Sequence, residues 1–217
     1  MKRVIAYIDG YNLYRGIKAR ILPQNPNSTP WPSHLLWLNL QGLAKSLLKD
    51  DETLTQTHYF TAGIPSPEGS RIRQNLFIDA LNTLSDFEIT YGRFQKEYDN
   101  TCHQCGSPMY ASKEKMTDVN IAVQMLKDAQ KNRFDKALLI TGDTDQVSVI
   151  NAIRDGYSDK TVFVAFPPER FNDHLETAAT VSARIGRSRL EENLFADQIE
   201  RQDGFMLRNP WKFNESE

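Results

Sequence analysis

Two cysteines in 217 residues are too few for a disulfide scaffold and point to a reducing cytoplasm. No apolar stretch approaches the ~20 residues of a membrane-spanning helix, so no membrane partner is expected. The chain enters strand-like sequence at residue 3, leaving no room for a secretory leader. Charge is nearly balanced, at a formal net −2. That gives no global pull towards a polyanion, although positive charge can still be gathered locally. The first apolar run is followed by "DGYNLYRG", without the glycine-rich turn of a dinucleotide-binding fold. Gly10 and Tyr11 follow Asp9, so the second aspartate of a haloacid dehalogenase-type phosphatase is missing as well. There is no internal repeat and no low-complexity tract.

What is present is an alternation of strand and helix signals. Residues 3–9 read as a fully buried strand, and "NLYRGIKAR" continues as a short helix. Residues 21–33 hold four prolines and form a loop. Leucines recur at helical spacing over 34–49, residues 54–62 are strand-like, and 70–85 are helical. "FEITYGRF" is a further strand, and 95–114 reads as an irregular loop. Then come a helix over 117–131, a strand "KALLIT", a helix over 145–156 and a strand "KTVFVAF". This order predicts an α/β fold, an open parallel sheet with helices on both faces. One domain over 1–180 carries the 95–114 loop, and a C-terminal extension over 181–217 turns at Asp203–Gly204.

Ligands of such sheets bind beyond the carboxyl ends of the strands. Asp9 ends the first strand, and Asp143 and Asp145 follow the strand over 137–141. Asp118 stands in the first turn of its helix after Thr117, a residue suited to capping. It shares a face with Ala122, Met125 and Ala129, so it is aimed inward. Each acid alone can be read as a helix cap or turn residue. Four carboxylates on one sheet edge would repel one another, and a cation relieves that repulsion. Oxygen-only ligands suit Mg²⁺ or Mn²⁺.

"YIDGYNLY", "EKMTDVNIAVQML" and "LLITGDTDQVSVI" resemble, in order and spacing, the three motifs of the NYN domain, a PIN-like nuclease group that includes LabA-like proteins. The likeness covers about residues 3–180. It implies a PIN-like sheet in strand order 3-2-1-4-5 and metal-dependent hydrolysis of RNA, with a non-catalytic RNA-binding module as the alternative. The implied metal ligands are Asp9, Asp118, Asp143 and Asp145, with Asn12 and Thr141 orienting acids, water or phosphate. Gln124 replaces a frequent acid and Gln146 a usual aromatic.

His34, His58 and His174 lie outside the motifs, which disfavours histidine-dependent ribonuclease chemistry. Phosphate beside clustered acids needs cations; Lys115, Arg15, Arg71 and Arg73 are placed to supply them. Tyr11, Tyr14 and Phe94 are placed to stack on unpaired bases. Cys102 and Cys105, in "CHQCG", have zinc-knuckle spacing but lack the other ligands of a closed zinc site. His103 lies inside their loop, badly placed to join both thiolates. A homodimer through the terminal extension is a further expectation.

Overall fold

Val4 to Ile8 are all buried because their strand is covered on both faces, as the unbroken apolar run requires. A computed structural model of the chain describes residues 1–64, 67–101, 105 and 107–212. The chain opens with β1 (Lys2–Asp9) and α1 (Gly10–Ile21), passes a 3-10 turn (Ser33–Leu36), and continues as α2 (Leu40–Lys45), β2 (Glu52–Thr61), α3 (Glu68–Leu81) and β3 (Phe87–Tyr91). Then follow β4 (Arg93–Thr101), β5 (Pro108–Lys115), α4 (Thr117–Gln130) and β6 (Lys136–Ile140). A second 3-10 turn (Thr144–Gln146) leads to α5 (Val147–Gly156), β7 (Thr161–Phe166), α6 (Asp173–Ala178) and β8 (Val181–Arg184). The chain closes with α7 (Arg187–Glu191), β9 (Gln198–Glu200) and β10 (Met206–Arg208).

Six strands form one parallel sheet in the order β3-β2-β1-β6-β7-β8. This is the expected 3-2-1-4-5 arrangement with a sixth strand, β8, added beyond residue 180. The order reverses between β1 and β6, where open sheets bind ligands. Alternation along β1 sends Val4, Ala6 and Ile8 into the core under α1, α2 and α3, and Ile5 and Tyr7 into the core under α4 and α5. Asp9 continues the second set. Among the described residues no helix is long and apolar enough to cross a membrane.

Three local expectations change. The stretch 95–114, expected as a loop, contains most of an antiparallel ribbon in which Arg93 pairs with Lys115 and Thr101 with Pro108. Main-chain hydrogen bonds hold such a ribbon without an apolar face, and this polar stretch carries no hydrophobic alternation to announce it. The leucine-rich 34–49 segment is not one helix. It breaks at Trp37–Leu38, where Leu38 bridges Leu194 and the Phe195 amide donates to the Trp37 carbonyl. Asn39 then starts α2 by accepting from the Gly42 amide at 2.8 Å. Finally, Thr117 is the first residue of α4, not its cap; the preceding Met116 takes φ 78°, in the left-handed region.

The C-terminal extension docks on the core. Leu190, Phe195 and Leu207 are buried there. Trp37 is wholly buried, donates its indole N–H to the Ala196 carbonyl at 2.9 Å, and packs against Phe77, Phe195 and Trp211. β9 and β10 form the hairpin expected at Asp203–Gly204.

On the α4 face the fully buried Asp128 accepts hydrogen bonds from Tyr7 Oη at 2.9 Å, Gln124 Nε2 at 2.9 Å and Arg133 Nη1 at 3.1 Å, with His58 Nε2 3.5 Å away. Burial pushes its pKa up, but the His58, Gln124 and Tyr7 contacts outweigh this and hold it at about 2. A depressed carboxylate pKa stabilises the fold above the unfolded value and loses that contribution as pH falls towards the folded one. Urea unfolding from pH 5 to pH 2.5 should therefore show an acid step in the wild type, worth about 2 kcal/mol when complete. Asp128→Asn should be less stable at neutral pH and show a smaller acid step, since Asp135, held at about 2 by Arg3, still titrates there.

Candidate active site

The sheet's reversal point brings three acids together. Asp9 stands at the end of β1, Asp143 just beyond β6 and Asp118 in the first turn of α4. One carboxylate oxygen from each lies within 4.8 Å of the others. Asp9 is buried, and the other two are half-buried.

Each acid is oriented locally. Asp9 caps α1: its Oδ1 accepts the Asn12 amide at 2.9 Å, and its Oδ2 accepts the Thr141 hydroxyl at 2.8 Å. Thr141, buried at the end of β6, in turn accepts the Asp143 amide at 3.1 Å. Asn12 Oδ1 accepts the Gly142 amide at 2.9 Å, tying α1 to the loop after β6. Position 142 must be glycine, because a Cβ there would lie 2.0 Å from the Arg170 carbonyl oxygen. Asp143 caps the following 3-10 turn through the Asp145 amide at 3.1 Å. Asn12 and Thr141 thus connect the acids in the structure.

Asp145 itself is exposed and lies outside the three-carboxylate group. Its charge still reaches the group: burial first, then Asp143 and Asp145, push the Asp118 pKa up, against a hydrogen bond from Gln146. Gln146, substituted for an aromatic, is 1% exposed and donates to the Asp118 carbonyl oxygen at 3.3 Å. Its Oε1 is a buried acceptor without a partner among the described residues. Gln124 lies further along α4, on Asp128, and does not join the acids. Clustered oxygen donors, among which the charges of Asp143 and Asp145 raise the Asp118 pKa, are a fitting donor set for a hard divalent cation. The three aspartates can hold such an ion.

The expected cations divide. Arg15 is exposed on α1, its guanidinium 5.7 Å from the Tyr11 ring centroid. Arg71 is exposed and paired with Glu68 at 3.3 Å. Arg73 donates to the Ser70 hydroxyl at 3.3 Å. Lys115 is exposed at the end of β5, at the foot of the ribbon that leads into α4. Tyr11 is 44% exposed, whereas Tyr14 is half-buried beside Lys18; the Phe94 side chain lies outside the described residues. Cys105 is exposed between β4 and β5, and Cys102 and His103 lie outside the described residues.

Sequence reasoning missed Gln146 as a neighbour of Asp118, because a buried glutamine beside an acid has no periodic signature. It missed Arg170 as well, whose side chain packs against Gly16 and Gly142. The only signal for Arg170 was its position in the loop after β7.

The sequence profile of the NYN domain matches residues 3–185. The chain is 25% identical over 208 residues to 6-hydroxy-3-succinoylpyridine 3-monooxygenase HspA of Pseudomonas putida, covering 81% of this chain and 62% of that protein. It therefore spans less than two thirds of the length of that curated relative. Among solved structures, a protein of unknown function from Vibrio parahaemolyticus aligns over 89% of this chain and 96% of its own, with a TM-score of 0.55 and 17% identity, a likeness of fold. With three ordered motifs, the sheet order and a profile running along most of its length, the chain belongs to the NYN domain family, within the PIN-like nuclease superfamily.

Proposed function

We propose that this protein is a metal-dependent endoribonuclease that hydrolyses phosphodiester bonds of single-stranded RNA, with Mg²⁺ or Mn²⁺ held by Asp9, Asp118 and Asp143, and Asp145 beside them. The observation that carries this reading is the meeting of three carboxylates from distant parts of the chain within 4.8 Å. When bound, the divalent ion lowers the pKa of water and neutralises charge developing on the phosphodiester.

The chain's own residues prepare that site. Thr141 and the Asn12 amide hold the two oxygens of Asp9 in different directions, so the carboxylate cannot swing away from Asp143. Gln146 and the first turn of α4 position Asp118. Arg15 and Arg73, which have no carboxylate partner among the described residues, and Lys115 supply positive charge for the phosphate backbone. Tyr11 offers an exposed ring to an unpaired base.

The direct test is labelled single-stranded RNA and DNA incubated with purified protein under Mg²⁺ and Mn²⁺ titration, with EDTA as control. Cleavage of RNA that rises with metal and vanishes in EDTA is expected. RNA binding with no turnover at any metal concentration would replace this reading with the non-catalytic RNA-binding module. Thr141→Val is a finer probe. It removes the hydroxyl between Asp9 and the Asp143 amide, so Mn²⁺ affinity measured calorimetrically should fall about 10–100-fold. Stability should fall by about 1–3 kcal/mol as the buried partners lose their hydrogen bonds.

A further inference from the structure

A cavity of about 130 Å³ opens between α1, β2 and α3. Its wall begins at Gly10, the residue after Asp9, and includes Tyr14, Tyr59, Phe77 and Trp211. Gly10 is what lets this wall close: a Cβ there would lie 2.5 Å from the Tyr59 ring. Ser70 and Arg73, in the first turns of α3, are half-buried and also line the cavity. Among the described residues Arg73 has no carboxylate partner. Gln74 secures the adjoining chain, donating to the Ala62 carbonyl at 2.9 Å and accepting the Ile64 amide at 2.7 Å.

Resting on the ribonuclease reading above, we propose that this cavity is a base subsite that takes the pyrimidine of a nucleotide flanking the cleaved phosphate. Three observations select that occupant. The size suits one six-membered ring, since an apolar cavity of ~150 Å³ accommodates a benzene, and a fused purine exceeds it. Five aromatic side chains, Tyr11, Tyr14, Tyr59, Phe77 and Trp211, stand in the lining among aliphatic ones, and aromatic rings are the surface on which unstacked bases settle. Arg73 at one wall offers a cation to a nucleotide's phosphate beside the ring, a group that a neutral lipid or an apolar peptide does not carry.

The test compares cytidine 5′-monophosphate, adenosine 5′-monophosphate and ribose 5-phosphate binding to the full chain in EDTA, by calorimetry or protein NMR. Cytidine monophosphate should bind at least 10-fold more tightly than ribose 5-phosphate and more tightly than adenosine monophosphate. Ser70→Trp, which plugs the cavity from α3, should abolish that advantage. Tyr14→Ala, which enlarges it, should raise the purine to parity, and it supplies the answer if the first variant does not fold. Equal binding of cytidine monophosphate and ribose 5-phosphate by the wild type, or an advantage untouched by either variant, overturns the subsite. These measurements need no turnover, so absence of RNA cleavage would defeat the nuclease reading while leaving the cavity to be judged on its own.

Discussion

Asp143→Asn is expected to lose metal-dependent RNA cleavage by more than about 100-fold, since partners one shell further from a metal already contribute 10–100-fold. Its fold should be unharmed or slightly firmer. The Asn side-chain oxygen can still accept the Asp145 amide, and the Asp143 backbone amide still donates to Thr141. Only the negative charge goes, and that charge repels Asp118. Thermal unfolding without metal should therefore give a midpoint equal to or above the wild type. With Mn²⁺ the wild type alone should rise, because an ion that binds the native state stabilises it by mass action. A mutant that cleaves RNA at the wild-type rate removes Asp143 from the chemistry.

The largest stability effect should come from far outside the acids. Trp37→Ala deletes a fully buried indole, its hydrogen bond to Ala196, and contacts with Phe77, Phe195 and Trp211. Buried Trp→Ala changes cost about 3–5 kcal/mol, a large share of a domain's usual 5–15 kcal/mol. For a chain of this size that is a fall in melting temperature of roughly 6–20 °C. Trp37→Phe keeps most of the apolar volume and should cost far less. Limited proteolysis should cut Trp37→Ala first between residues 190 and 212, the segment the indole anchors. Equal resistance of the two variants would show that the extension is held by something else.

The sequence displayed some of these features openly. A parallel sheet buries its strands on both faces, so β1, β6 and β7 appear as unbroken apolar runs, and an aspartate at the end of such a run stands out. The parallel sheet and the meeting of Asp9, Asp118 and Asp143 at its edge were legible for that reason, whereas the strand order followed only from the resemblance to the NYN domain. Asp145 shares a motif with Asp143, and sequence proximity says nothing about which carboxylate turns inward. The β4–β5 ribbon was hidden because main-chain pairing leaves no hydrophobic period in polar sequence. The break at Trp37 was hidden because its cause is Phe195, well over a hundred residues away. The Tyr7–Asp128–His58 cluster was equally obscure: Asp128 lies among helix residues whose pattern reads as surface, and only the assembled core shows it buried.

The double duty of Asp9 has a consequence for mutational surveys. One oxygen closes the first turn of α1 and the other secures Thr141, so most replacements at position 9 should reduce how much protein accumulates in a cell. Asp143→Asn, which can keep the bond from the Asp145 amide, should leave yield untouched. A screen scoring both abundance and phenotype would then sort two neighbouring acids into different classes, one resembling a scaffold residue and the other a dispensable one, although both face the same point in space.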